Sequence, residues 1–266
     1  MIRMIATDLD GTLLSSGGRE VHEKNRAALA KAAEAGVKVV ICSGRLFTGA
    51  LRYALIAPGN QPMVCVNGAQ IRMSRTGEYL FRGPIREAEA LAALLRLKEA
   101  GMKPWFYIGD ACFAEEYTDD LDKLVRRTGI HAEIVASLEQ KIPDGPDKIL
   151  GILPEDRIPP LQESMERDFA GKLYVTRALP WQIEIMAPGS TKGKALQWLA
   201  RQYGIARNEI AVFGDNYNDL EMFSAAGVKV AMRNGVDALK EQADIIAPAN
   251  DEGGVGQVLE DLLRQA

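Results

Sequence analysis

The chain has 266 residues, 47% hydrophobic and 26% charged, with a formal net charge of −4. That apolar content excludes a disordered chain, and at roughly 100–200 residues per domain the length suits one large domain or two small ones. The slight acidic excess argues against a nucleic-acid partner. The longest apolar run, Ala90–Leu95, is far short of the roughly 18 residues that span a bilayer.

Apolar strand-like runs alternate with helical periodicity along the chain. Met4–Thr7 reads as a strand ending at Asp8, and Asn25–Ala35 as an alanine-rich helix stopped by Gly36. Val37–Cys42 is a near-continuous apolar run, as expected of a strand buried on both faces of a parallel sheet. A Ser43–Gly44 loop and a helix to about Leu55 follow, then a strand at Met63–Val66. Asn67–Gly68 reads as a two-residue hairpin turn in preference to a binding loop, because both residues tolerate positive φ. Strands at Ile71–Met73 and Tyr79–Arg82 flank a turn at Thr76–Gly77.

From about Gly83 to Ala187 the texture changes to an α+β pattern with hairpins. Helices are expected at Ile85–Ala100, Asp119–Arg127 and Pro159–Phe169. Strands are expected at Trp105–Ile108, Cys112–Glu115, Lys148–Leu153, Lys172–Arg177 and Gln182–Met186. Trp105, Phe106 and Trp181 are expected in the core of this segment. After Pro188–Gly189 strict alternation resumes: helix Lys192–Tyr203, strand Glu209–Phe213, helix Asp219–Ala225 and strand Val228–Met232. A short helix (Val236–Glu241), a strand (Ala243–Ala247) and a terminal helix (Gly253–Arg264) close the chain. The expected fold is α/β, a Rossmann-like doubly wound parallel sheet formed by residues 1–82 and 188–266, with an inserted α+β domain at 83–187. The insert holds 19 acidic and 13 basic residues, against 17 and 19 elsewhere, and reads as a solvated acidic surface.

The three cysteines form no CxxC pair and read as reduced, buried thiols. Only two histidines are present, His22 and His131, so neither a His-rich zinc site nor two-histidine catalysis is available. Both read as ordinary surface or packing residues. Chemistry falls to carboxylates, hydroxyls, lysines and arginines. Ligands of parallel α/β sheets bind beyond the carboxyl ends of the strands. There stand Asp8-Leu9-Asp10-Gly11-Thr12, Ser43-Gly44-Arg45 and Gly214-Asp215-Asn216-Tyr217-Asn218-Asp219, while Thr191-Lys192-Gly193-Lys194 opens a helix. Clustered carboxylates repel one another, and a hard cation with oxygen ligands, Mg2+, relieves them. A lysine and free amides at a loop-to-helix junction suit a phosphate dianion. Without histidine, a carboxylate is the natural nucleophile, giving an aspartyl-phosphate, and a second carboxylate two residues on suits proton transfer. Taken singly, these residues also have bland roles. Asp8 suits a turn, Ser43 a cap on the next helix and Asp219 a first-turn acid, while Arg45 suits a substrate contact or a loop contact equally.

Asp8-Leu9-Asp10-Gly11-Thr12-Leu13-Leu14 resembles the signature of the haloacid dehalogenase (HAD) superfamily of phosphohydrolases, with Ser43-Gly44-Arg45, Lys192 and Gly214–Asp219 matching its second, third and fourth motifs in order. Asn67-Gly68-Ala69, Thr191–Leu196, Ala231–Asn234 and Asn250–Val255 resemble the Cof-type phosphatases within it. The resemblance implies Asp8 as nucleophile and metal ligand, and Asp10 as general acid/base and metal ligand through its carbonyl. It implies Asp215 as a further metal ligand, and Leu9, Ser43, Gly44, Lys192 and Asn218 as phosphate-binding. Lys192 also neutralises Asp8 and phosphate, with Thr12 and Asp219 in support. Ser43, where threonine is common, keeps the hydroxyl. Arg233, Gly235 and Phe223 depart from the family pattern, which bears on substrate shape. The implied protein is a Mg2+-dependent phosphatase of a small phosphorylated metabolite, foremost a sugar phosphate, with the insert as a cap that closes over the substrate and sets specificity. The alternatives are cofactor phosphates (pyridoxal phosphate or FMN), a phosphomutase, or a non-catalytic phosphate-binding module. No export signal is expected at the N-terminus, so the expected location is cytoplasmic, as a monomer or small homo-oligomer without membrane partners.

Overall fold

A computed structural model describes residues 1–177 and 179–264. The chain forms two compact units, Met1–Leu80 with Thr191–Ala266, and Phe81–Ser190. In chain order the first part of the first unit carries β1 (Met4–Thr7), α1 (Glu23–Glu34), β2 (Lys38–Cys42), α2 (Phe47–Ala54), β3 (Pro62–Cys65) and β4 (Gln70–Met73), and β5 (Tyr79–Arg82) runs from it into the second. The second unit follows with α3 (Glu87–Glu99), β6 (Trp105–Ile108), β7 (Ala111–Ala114), α4 (Asp119–Thr128), β8 (His131–Ile134), β9 (Lys148–Ile152), α5 (Ile158–Asp168), β10 (Tyr174–Thr176) and β11 (Gln182–Met186). The chain then completes the first unit with α6 (Lys192–Tyr203), β12 (Ile210–Gly214), α7 (Leu220–Ala225), β13 (Val228–Met232), α8 (Asp237–Lys240), β14 (Ile245–Ala247) and α9 (Gly254–Arg264).

The larger sheet runs β14-β13-β12-β1-β2-β3-β4-β5. Its first six strands are parallel, and β4 returns antiparallel on β3. β1 lies at its centre, between β12 and β2, and all four of its residues are buried. That double-faced burial is why β1, β2 and β12 read as unbroken apolar runs. The register places Thr7 opposite both Ile41 and Phe213, so three strands reach the same edge together. On one face, Leu196 and Leu199 of α6 and Met222 and Phe223 of α7 pack with Met4, Val40 and Val212. His22 caps α1, its Nδ1 accepting the Lys24 N–H at 3.1 Å, which is a structural role.

The second unit is a six-stranded sheet in the order β10-β11-β9-β6-β7-β8, antiparallel except for β7 with β8. Its core gathers Leu94 and Leu97 of α3, Phe106, Ile149, Ile183 and Met165. Three local expectations change. Edge strand β8 is not expected from the sequence, because His-Ala-Glu-Ile alternates weakly and is largely exposed. Trp105 and Phe106 are buried, but Trp181 is 45% exposed and does not belong to the core. The Asn67–Gly68 turn is longer than two residues: Cys65 pairs with Gln70, and positive φ falls on Val66 and Asn67 as well as Gly68. Two backbone hydrogen bonds to the segment after β2 pull the chain into this shape, from Val66 N–H to the Arg45 carbonyl and from Asn67 N–H to the Ser43 carbonyl, both 3.0 Å. All three cysteines are buried and free. Among the described residues no helix is long and apolar enough to cross a membrane.

Candidate active site

The aligned ends of β1, β2 and β12 deliver Asp8, Ser43 and Asp215 to one edge of the sheet. The β1 extension is fixed by the Asp8 N–H, which donates to the Phe213 carbonyl at 3.0 Å. Lys192, the first residue of α6, completes the group. Thr191 caps that helix, its hydroxyl accepting the Lys194 N–H at 3.2 Å. The Lys192 Nζ donates to Asp8 Oδ1 at 2.6 Å and to Asp219 Oδ1 at 2.7 Å. Lys192 is 1% exposed, Asp8 5% and Asp219 0%, so this is a desolvated charge cluster rather than a surface ion pair.

Asp219 is fully engaged. One oxygen holds Lys192, and the other accepts the backbone N–H groups of Asp215 and Asn216 at 3.0 and 3.1 Å. It thereby orients the lysine and closes the loop after β12. Thr12 donates to Asp215 Oδ1 at 2.6 Å. Gly11 makes room for that carboxylate: at φ +85, a Cβ there would stand 2.3 Å from Asp215 Oδ2.

Among the described residues, Asp8, Asp215 and Asp219 form the group able to hold a metal, each offering an oxygen within 4.8 Å of the others. The donor set is all carboxylate, which fits a hard divalent cation and disfavours zinc. Because Asp219 is committed to Lys192 and two amides, Asp8 and Asp215 are the residues left to bind such an ion. Burial pushes the Asp8 carboxyl well above its usual range, against the pull of Lys192. Burial, and then the Asp219 charge, pushes Asp215 up to about 7. Opposing burial, Asp219 and Asp8 hold Lys192 above the ordinary lysine range, so it is a permanent cation.

Asp10 points elsewhere. Its carboxylate is gripped by both arms of the Arg45 guanidinium, with Arg45 Nε donating to Asp10 Oδ2 at 2.8 Å and Nη2 to Oδ1. Arg45 is itself buried, lies over the Tyr53 ring and donates to the Gly18 carbonyl at 3.3 Å. Its partner is thus Asp10 and a neighbouring loop. The Ser43 hydroxyl accepts the Arg45 N–H at 3.2 Å, and α2 begins only at Phe47 after Leu46, so Ser43 does not cap that helix. Asn218 donates through Nδ2 to Asn67 Oδ1 at 3.3 Å. Leu9 is fully buried just beyond β1.

Two residues given no site role from the sequence hold the loop after β1. Asn234 donates to the Gly11 carbonyl at 2.7 Å and accepts the Asn250 N–H at 3.0 Å, and Asn250 donates to the Leu14 carbonyl at 2.8 Å. Arg45, for which a substrate contact and a loop contact were equally open, holds the same loop through Asp10. The only sequence signal for Asn234 and Asn250 is their place in the Ala231–Asn234 and Asn250–Val255 runs.

A profile of haloacid dehalogenase-like hydrolases matches residues 5–259. The chain is 30% identical to the 5-amino-6-(5-phospho-D-ribitylamino)uracil phosphatase YwtE of Bacillus subtilis, covering 98% of each chain. It is also 30% identical to the pyridoxal phosphate phosphatase YbhA of Escherichia coli, covering 97% of each. Among solved structures, a haloacid dehalogenase-like hydrolase from Bacteroides thetaiotaomicron is similar, with a TM-score of 0.89 at 26% identity, covering 98% of this chain and 100% of that one.

Proposed function

The chain belongs to the haloacid dehalogenase-like hydrolase family, and from that membership we propose that it hydrolyses phosphate monoesters of small metabolites through an aspartyl-phosphate on Asp8, with Mg2+ as its metal. The observation that carries this reading is the buried Lys192 bridging Asp8 and Asp219 beside Asp215. Asp8 attacks phosphorus and the ester P–O bond breaks. Asp10 gives its proton to the departing alkoxide and later takes one from the water that cleaves the acyl phosphate, releasing inorganic phosphate. Asp10 must exchange its hold on Arg45 for the leaving oxygen to do so. Lys192, Ser43, Asn218 and the Leu9 and Gly44 amides bind the phosphoryl oxygens. Asp8, Asp215 and the Asp10 carbonyl would hold Mg2+, which would supply charge neutralisation for nucleophile and phosphate. Residues 83–187 are the proposed source of substrate specificity. Two relatives are named for phosphorylated heterocycles, which supports cofactor-type phosphates alongside sugar phosphates as substrates.

The test is a panel of sugar phosphates, pyridoxal phosphate, FMN and related monoesters, assayed for phosphate release with Mg2+ and with EDTA. Turnover of at least one member is expected, and EDTA is expected to abolish it. Full activity in chelator contradicts the metal role of Asp8 and Asp215, and no hydrolysis of any member overturns the phosphatase reading.

The raised carboxyls also set a pH dependence. In the metal-free protein Asp215 holds a proton up to about pH 7, whereas an unfolded chain releases it near pH 4. The folded state therefore binds more protons across that window, and this group's contribution to stability falls as pH rises through it. A cation needs the ionised carboxylates of Asp8 and Asp215, both raised by burial, so Mg2+ affinity rises by about tenfold per pH unit or more between pH 5 and 7. Titration calorimetry at several pH values measures this, and a flat affinity over that range contradicts it.

A further inference from the structure

Resting on the phosphatase reading above, we propose that Asn67 is a positioning residue of the phosphoryl site, orienting the Asn218 amide from a strained turn that also packs against the Ser43-Gly44-Arg45 segment and the start of α6. Val66 has φ 52 and Asn67 has φ 54, and both are buried. A β-branched residue at positive φ is a costly conformation, and such strain persists where its surroundings over-determine it. A two-residue Asn-Gly hairpin would itself place positive φ on Asn67 and Gly68, but not on the β-branched Val66.

The contacts of this turn show what the strain maintains. Toward the segment after β2, the Val66 and Asn67 amides bind the Arg45 and Ser43 carbonyls, and a Cβ on Gly44 would come within 3.0 Å of Asn67 Oδ1. Toward α6, Gly68 lies against Thr191, where a Cβ would stand 2.4 Å from the Thr191 carbonyl oxygen. Toward the loop after β12, Asn67 Oδ1 accepts from Asn218 Nδ2 at 3.3 Å. One turn therefore touches three of the four segments proposed to hold phosphate. The side-chain bond has a specific consequence. It fixes which end of the Asn218 amide is nitrogen-outward, leaving its second N–H for a phosphoryl oxygen. Without Asn67 the amide rotates about its soft terminal torsion and can present its oxygen to the anion.

Asn67→Gly separates this role from folding, because glycine adopts positive φ without strain. The melting temperature is expected to stay level or rise. Inorganic phosphate binding in the presence of Mg2+, measured by calorimetry, is expected to weaken by about five- to tenfold, the scale of one lost hydrogen bond. KM for the best substrate should rise more than kcat falls. In the Asn218→Ala background the same change should have almost no further effect, a coupling that a purely structural role does not produce. Wild-type phosphate affinity in Asn67→Gly, or losses that add in full in the double variant, overturns the proposal. A wild-type protein that neither binds phosphate nor hydrolyses any ester instead overturns the phosphatase reading on which it rests.

Discussion

Asp8→Asn is expected to abolish phosphate release, by about 10³-fold or more, while leaving the protein as stable as before or more so. An amide cannot form the acyl phosphate, and His22 is held as the cap of α1 rather than as a stand-in nucleophile. Stability moves the other way because Asp8 is a desolvated carboxylate facing the charges of Asp219, Asp215 and Asp10, with Lys192 as its compensation. The amide removes one buried negative charge, and Lys192 keeps Asp219 at 2.7 Å. A single-turnover assay with the best substrate, paired with a thermal melt, measures both effects. Mg2+-dependent release surviving the substitution disproves the nucleophile and with it the covalent route. A fall in melting temperature of several degrees contradicts the description of Asp8 as electrostatically costly. The same variant separates an enzyme from a phosphate-binding module, since only an enzyme has turnover to lose.

Lys192→Ala is expected to damage both activity and folding. Removing one partner of a buried charge cluster costs about 3–5 kcal/mol, a large share of the roughly 5–15 kcal/mol that holds a typical domain together. The reason is that Asp8 and Asp219 remain buried with no counter-charge. The sign with pH follows from the raised lysine: its contribution is complete below the ordinary lysine range and is lost only as pH rises beyond it. At neutral pH the whole contribution is therefore present to be removed. In the variant the orphaned carboxylates recover by taking up protons, so the loss should shrink on acidification from neutral toward pH 5. Mg2+ should restore part of the stability and little of the turnover, since the cation replaces charge without replacing the phosphate donor. Denaturant melts at neutral and acidic pH, with and without Mg2+, check this. A variant as stable as the parent at neutral pH would show that the cluster is not compensated by Lys192.

Much of this was legible in the sequence. Parallel strands buried on both faces carry continuous apolar runs, and the chemistry of such sheets sits just past their carboxyl ends. Asp8, Ser43 and Asp215 were found by reading just beyond Met4–Thr7, Val37–Cys42 and Glu209–Phe213. The scarcity of histidine narrowed the nucleophile to a carboxylate. Strand β8 escaped because an exposed edge strand has no apolar face to betray it. The Asn67–Gly68 hairpin was legible only in part, because Asn-Gly between two strands carries the same letters whether the turn has two residues or four.

The sequence by itself determined which residue types stand at the strand ends, because burial dictates apolar runs and leaves polar groups only where the runs stop. Tertiary structure alone decided their pairings. Arg45 grips Asp10, Asp219 holds Lys192, Asn67 holds Asn218, and Asn234 and Asn250 brace the loop after β1. Each pairing joins segments that meet because Thr7 lies opposite both Ile41 and Phe213 or because turns and helix ends pack against that edge. Register and packing are long-range geometry, and no local pattern of residues encodes them.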